Sequence, residues 1–215
     1  MGIVRLELLG GEPFLRKDFA NLCNFVNKEG FLYTIITNGE YLSSLDKKTI
    51  NAIKAASEII ISVDAFGKIH DDSRKRPGLF YKIIDGIQLL KKLNIKCSLL
   101  CTINKNTASS LDDLINYLKP LEIDLFVRPT ILSGNAKNNN LLNVNMTEIY
   151  NKYKNTPHVF HNTVNLVDEI SESKYYGCDI RHLLNIDVKG NFLLCHMDRS
   201  IKESNIDFYI LQNYY

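Results

Sequence analysis

Five apolar runs recur along the first two-thirds of the chain, each followed by an amphipathic segment, at intervals of about 30 residues, the length of one strand–helix unit. They are Ile3–Leu9, Phe31–Thr37, Glu58–Val63, Lys96–Ile103 and Leu125–Ile131. Ile59-Ile60-Ile61 shows their character: these runs are near-continuously apolar, where a strand with one wet face would alternate. Such strands are buried on both faces, so they belong to a parallel sheet covered by helices. Between them, Lys17–Lys28, Ser44–Ser57, Phe80–Leu93 and Ser110–Leu118 carry apolar stripes at helical spacing. Ser109 or Ser110 is the expected N-cap of the last, with Asp112 and Asp113 in its first turn. The segment from Asp64 to Gly78 is polar and reads as a loop. An α/β barrel or a doubly wound sheet satisfies this pattern.

Either architecture gathers ligands at the C-terminal ends of its strands, and polar residues cluster there. They are Gly10-Gly11-Glu12-Pro13, Thr37-Asn38, Ser62 with Asp64, Asn104 and Arg128. Glycines let a ligand approach the backbone, and Glu12 has the charge to hold an amine. Alternation along the strand puts Ser62 and Asp64 on one side. Arg74, in the following loop with His70 and Asp71, has the planar fork that grips a carboxylate bidentately.

After Ser133-Gly134-Asn135 the character changes. An Asn-rich stretch leads to two short helical patterns, Met146–Lys154 and Val164–Ser171. Leu184–Val188 and Phe192-Leu193-Leu194 then flank a Lys189-Gly190-Asn191 turn, a hairpin signal. The expected organisation is a barrel-like unit over 1–137, a linker with short helices over 138–174, and a small unit over 175–215.

The five cysteines, an odd and scattered set, do not make a disulfide framework. Cys23, Cys97 and Cys101 sit in apolar stripes and read as small core hydrophobes. Cys178 and Cys195 bracket the hairpin, an arrangement that presents two thiolates to a metal or cluster. A net charge of +2 points to neither nucleic acid nor a membrane surface. No apolar stretch reaches the roughly 18 residues of a membrane helix, and the expected location is cytoplasmic.

Taken in order, these segments resemble the radical S-adenosylmethionine (SAM) enzymes, in the branch with a C-terminal SPASM domain. The matching stretches are Leu8 to Arg16, Ile36-Thr37-Asn38-Gly39, Ile61-Ser62-Val63-Asp64, Ile69-His70-Asp71 with Arg74, Thr102 to Asn106, Pro129 to Ala136, and Cys178 to Cys195. The resemblance implies a (β/α)6 barrel and a SAM pocket. Gly10, Gly11 and Glu12, with Pro13, would hold the methionyl amino group. Thr37 and Asn38 would line the same pocket. Ser62 and Asp64 would lie near the ribose and carboxylate, with Arg74 a weaker candidate for the carboxylate. Cys178 and Cys195 would be ligands of an auxiliary [4Fe–4S] cluster. It implies further a peptide or protein substrate, modified by a 5′-deoxyadenosyl radical, and a reductase or flavodoxin-type electron donor.

One departure bears on activity. The Cys-x-x-x-Cys-x-x-Cys motif that holds the family's catalytic cluster is absent from the 215 residues. It belongs after the first barrel strand, ahead of the Gly-Gly-Glu-Pro loop, and only nine residues precede Gly10. The expectation is an incomplete barrel lacking its first strand, holding strands two to six, with a partial SPASM region. Such a fragment would be inactive alone. Two alternatives stand beside it: a non-catalytic SAM- or peptide-binding protein of the same lineage, and an unrelated barrel enzyme using Glu12, Asp64 and His70 as acid–base groups.

Overall fold

The computed structural model describes residues 5–130, 144–161, 185–186 and 192–193. Six parallel strands form one sheet: β1 (Arg5–Leu8), β2 (Leu32–Thr37), β3 (Glu58–Ser62), β4 (Cys97–Ile103), β5 (Leu125–Pro129) and β6 (Val159–His161). Their spatial order is their chain order. Among the described residues six α-helices connect or flank them: α1 (Phe19–Lys28), α2 (Lys47–Ile53), α3 (Gly67–Arg74), α4 (Leu79–Lys92), α5 (Leu111–Leu118) and α6 (Met146–Tyr153). Because every strand runs the same way and pairs with its sequence neighbour, all C-terminal ends meet at one edge.

The core forms where the strands' apolar residues meet the helical stripes. Tyr33, Ile35, Ile59, Ile61, Leu99, Cys101 and Val127 from the sheet join Cys23, Val26, Ile53, Phe80, Ile83, Ile87 and Leu114 from the helices. Tyr33 is fully buried, and its hydroxyl donates to the Ala52 carbonyl at 2.8 Å, which satisfies its one polar atom. Gly39, at φ 81°, turns the chain away from β2 under close cover. A Cβ there would come within 2.8 Å of both Ile61 Cγ2 and Ile83 Cγ1.

Two elements depart from the sequence reading. The segment taken as a polar loop after Asp64 contains α3. Its amphipathic signal is weak because it buries mainly His70 rather than an apolar stripe. The second is β6, a three-residue strand inside the stretch read as linker and short helices. It joins the main sheet beside β5, so the sheet has six described strands rather than five. Its backbone enters from His158 at φ 61°, and three residues are too few to show a period. The helix expected at Met146–Lys154 is α6, and the hairpin is present as β7 (Asn185–Ile186) antiparallel to β8 (Phe192–Leu193). Val164–Ser171, Cys178 and Cys195 lie outside the described residues, as do the last residues of the expected barrel unit, 131–137, and the start of the expected linker, 138–143.

Candidate active site at the C-terminal edge of the sheet

Two polar groupings occupy this edge. The first joins the loop after β1 to the end of β2. Gly10 takes φ 154°, a conformation that side chains disfavour, and an added Cβ would meet nothing within 4 Å. The backbone there is thus open to an approaching group. Glu12 caps the short 3-10 turn Pro13–Leu15, accepting from Phe14 N at 3.3 Å. The same oxygen, Oε1, accepts from Thr37 Oγ1 at 2.7 Å, and Oε2 accepts from Asn38 N at 2.9 Å. Thr37 is itself fixed, since its Oγ1 accepts from Gly39 N at 3.0 Å. The carboxylate is therefore aimed by contacts from 25 and 26 residues away. Each carboxylate oxygen offers two lone-pair sites, so Oε2 keeps capacity for an ammonium donor.

The second grouping spans β3, β4 and β5. Asp64 accepts from Arg74 Nε at 2.6 Å and from Nη2 at 2.9 Å, so the Arg74 fork engages a carboxylate of the protein itself. Asp64 Oδ1 also accepts from Thr102 N at 3.3 Å, and Thr102 Oγ1 accepts from Arg128 Nε at 3.1 Å. A continuous polar chain, Arg74–Asp64–Thr102–Arg128, thus crosses the strand ends. The register Thr102↔Arg128 places its last link directly across the β4–β5 pair. Burial draws the Arg128 guanidinium below its ordinary value, while Asp64 pulls the other way and Arg74 adds to the lowering. Ser62 is half-buried at the end of β3 and makes no side-chain hydrogen bond among the described residues.

α3 builds this second grouping. His70 and Arg74, one helical turn apart, face the same way. Arg74 reaches the Asp64 carboxylate, and His70 Nδ1 accepts from Asp64 N at 3.1 Å. His70 is fully buried, and its Nε2 has no hydrogen-bond partner. Burial lowers its pKa to about 4, so the ring is neutral, with the proton on Nε2. Asp71 turns the other way and accepts from Gly78 N and Phe80 N at 2.6 and 2.8 Å, capping α4. Ile69-His70-Asp71 is thus a staple between β3 and α4.

This placement sorts the expectations. Glu12, Thr37 and Asn38 come together, as do Asp64 and Arg74. His70, sealed from solvent, cannot exchange protons with a substrate, which removes the acid–base reading of Glu12, Asp64 and His70. Asn104 is turned inward: its Oδ1 accepts from Asn106 N at 2.8 Å and Thr107 N at 3.2 Å, shaping the loop before α5. Ser110 precedes α5, yet its hydroxyl donates to Thr107 O and accepts from Phe66 N instead of capping the helix. Thr102 was missed at the sequence level. The available signal was Arg128 itself, a charge ending an apolar strand.

The described cysteines do not suit a cluster. Cys23 and Cys101 are buried and Cys97 is half-buried. Burial pushes the thiols of Cys23 and Cys97 up to about 11 and that of Cys101 higher still. Cluster and metal ligands are thiolates. Cys97 and Cys101 are also about 13 Å apart along β4, at ~3.3 Å per residue. Among the described residues no three His, Cys, Asp or Glu side chains group as metal ligands. Among the same residues no helix is long and apolar enough to cross a membrane.

Comparison with known proteins shows the family and the fold. The family model described as the radical SAM superfamily matches residues 1–118. The AdoMet-dependent heme synthase of Methanosarcina barkeri is 27% identical over 119 residues, covering 54% of this chain and 33% of that protein. The cysteine-type anaerobic sulfatase-maturating enzyme of Clostridium novyi is 28% identical over 121 residues, covering 51% and 32%. The chain thus spans about a third of the length of these relatives. In fold, the structure of Streptococcus suis SuiB bound to its precursor peptide SuiA matches with TM-score 0.66 at 19% identity, covering 89% of this chain and 48% of SuiB. The family uses SAM and a [4Fe–4S] cluster. The resemblance read from the strand ends is borne out: with more than half its length matched by the family model, the chain belongs to the radical SAM superfamily.

Proposed function

We propose that the C-terminal edge of this sheet is a SAM-binding face, and that the chain serves in a radical SAM enzyme of the SPASM branch that modifies a peptide or protein. The observation that carries this reading is the Glu12 carboxylate. It is held by Thr37 Oγ1 and Asn38 N beside the open backbone of Gly10, with lone-pair capacity left for an ammonium group. Glu12 would hold the methionyl amino group, with Gly10, Gly11 and Pro13 shaping the loop and Thr37 and Asn38 lining it. Ser62, Asp64 and Arg74 would line the ribose and carboxylate side. SAM supplies the 5′-deoxyadenosyl group; the residues here bind it, orient it and keep its charged end fixed. A peptide substrate is favoured by the SuiB likeness, since SuiB was solved with its precursor peptide. The relative SkfB of Bacillus subtilis is likewise a maturation protein, for a sporulation killing factor.

For the 215 residues by themselves the donor set favours binding without reductive cleavage. They contain no Cys-x-x-x-Cys-x-x-Cys run, and the described thiols are held in their protonated form. Cys178 and Cys195 remain proposed ligands of an auxiliary cluster, and a reductase or flavodoxin-type protein the proposed electron donor. Calorimetric titration of the iron-free chain with SAM tests the binding reading. Saturable binding that Glu12→Gln weakens roughly 10- to 100-fold is expected, and no heat with the unaltered chain refutes it. Formation of 5′-deoxyadenosine by the reconstituted, reduced chain would overturn the statement that these residues do not cleave SAM.

A further inference from the structure

Two arginines flank Asp64, and they are not equivalent. Arg74 engages its Nε and Nη2 on the Asp64 carboxylate. Arg128 gives only Nε, to a neutral hydroxyl, and among the described residues its Nη1 and Nη2 groups have no acceptor. Arg128 is half-buried, and its Nη groups are not among the buried unpartnered atoms, so they stay reachable by an incoming acceptor, with which an ionised donor makes a strong hydrogen bond. The grouping Arg74–Asp64–Arg128 carries a net single positive charge, which one monoanion neutralises.

Its place in the sheet separates this charge from Glu12. Glu12 is bound to the end of β2, and Arg128 stands on β5 with its Nε on Thr102 of β4, so its guanidinium lies two to three strand spacings away, ~10–14 Å along the sheet at ~4.8 Å each. The carboxylate of an amino acid lies within about 4 Å of its own amino group, from the bond lengths of the backbone. With a hydrogen bond of ~2.9 Å at each end, such a head spans at most about 10 Å, the lower limit of that separation, so a ligand whose amine sits on Glu12 leaves the outer side of Arg128 to a second anionic group.

We propose that Arg128, positioned by Thr102, binds a carboxylate of the substrate at the β4–β5 end of this edge. It rests on the reading of the edge as a ligand face, and it names a feature of the substrate: an acidic side chain or a free acid group presented toward β5. The Arg74–Asp64 pair serves as the fixed wall beside it. The carboxylate has two sources, an acidic residue in a peptide or a small free acid, and the test separates them.

The experiment is NMR of the uniformly 15N-labelled full chain, following the Arg128 Nε–Hε signal, assigned by its loss in Arg128→Lys. The Thr102 backbone amide is a second reporter that survives in the variants. The probes are butyrate against butyramide at constant chloride, and N-acetyl-Ala-Glu-Ala-amide against its Gln counterpart. Saturable shifts with butyrate and none with butyramide are expected. At Thr102, Arg128→Gln should weaken butyrate binding about tenfold, or ~1.4 kcal/mol, while the spectrum elsewhere shows the fold intact. A matching response to the Glu peptide assigns the source to a peptide; response to butyrate alone assigns it to a small acid. Equal shifts with butyrate and butyramide, no shift with either, or tighter binding of inorganic phosphate than of butyrate would overturn the assignment. Displacement of butyrate by SAM would also overturn it, because Arg128 would then serve the cofactor. Weakened SAM binding in Glu12→Gln with butyrate binding unchanged separates the two readings: the carboxylate site stands or falls without the SAM site.

Discussion

The buried ring of His70 makes stability depend on pH in a calculable way. In the folded chain its pKa is drawn from the ordinary 6.5 down to about 4, chiefly by burial; Asp64 and Asp71 act upward and Arg74 downward. Above 6.5 the ring is neutral in both states, and its contribution to stability is complete. As pH falls below 6.5, the unfolded chain takes up a proton that the folded chain refuses, and stability declines. The decline levels off near 4, where the folded ring is protonated too. At roughly 1.4 kcal/mol per pH unit, the whole interval removes about 3 kcal/mol. Carboxylates titrate in the same range, so the wild-type curve alone does not isolate His70. The comparison is with His70→Asn, whose side-chain oxygen can accept from Asp64 N and does not titrate. Urea denaturation of both proteins at intervals from pH 7.5 to 4 gives the difference between them. That difference should shift by about 3 kcal/mol in favour of the variant as pH falls. A difference that stays flat to within ~1 kcal/mol would refute the claim that His70 is held neutral, whatever the variant's absolute stability.

Gly39→Ala should destabilise the fold by about 2–3 kcal/mol, because φ is 81° and the new Cβ meets Ile61 and Ile83 at 2.8 Å; a midpoint unchanged in thermal melting would count against it. Arg74→Ala should lower stability by about 2 kcal/mol, discounted because the Arg74 side chain is 33% exposed while that of Asp64 is 9%; chemical denaturation reads it. Glu12→Gln should weaken SAM binding roughly 10- to 100-fold, the worth of a charge-assisted hydrogen bond, with circular dichroism unchanged; calorimetry decides.

The strand ends were legible in the sequence because two independent signals fall at the same places. Apolar runs as continuous as Ile59-Ile60-Ile61 mark strands buried on both faces, and the polar residue that ends each run marks the edge. What escaped lacks a periodic signal. α3 is held by polar contacts: His70 to β3, Arg74 to Asp64 and Asp71 to α4. Its sequence therefore looks like a loop. β6 is too short to carry a pattern. The division of labour between Arg74 and Arg128 depends on which guanidinium meets Asp64 with its full fork, and only three-dimensional pairing decides that. Cys178 and Cys195 fall outside the described residues, so the auxiliary-cluster expectation rests on the resemblance.

The consecutive strand order has a kinetic consequence. Each described strand docks beside the one immediately before it in the chain, so the sheet can grow by adding one strand–helix unit at a time to an existing edge. No described strand of this sheet must wait for a distant partner, which keeps the loop-closure entropy of each step small for a parallel sheet. The innermost strands, β3 and β4, should then acquire amide protection first and lose it last under native-state hydrogen exchange, with β1 and β6 opening at lower free energy. The Glu12 tether from the β1 loop to β2 lies toward one of those late-forming margins, whereas the Asp64–Thr102 link sits at the centre. The two halves of the ligand edge would thus be assembled at different stages of folding.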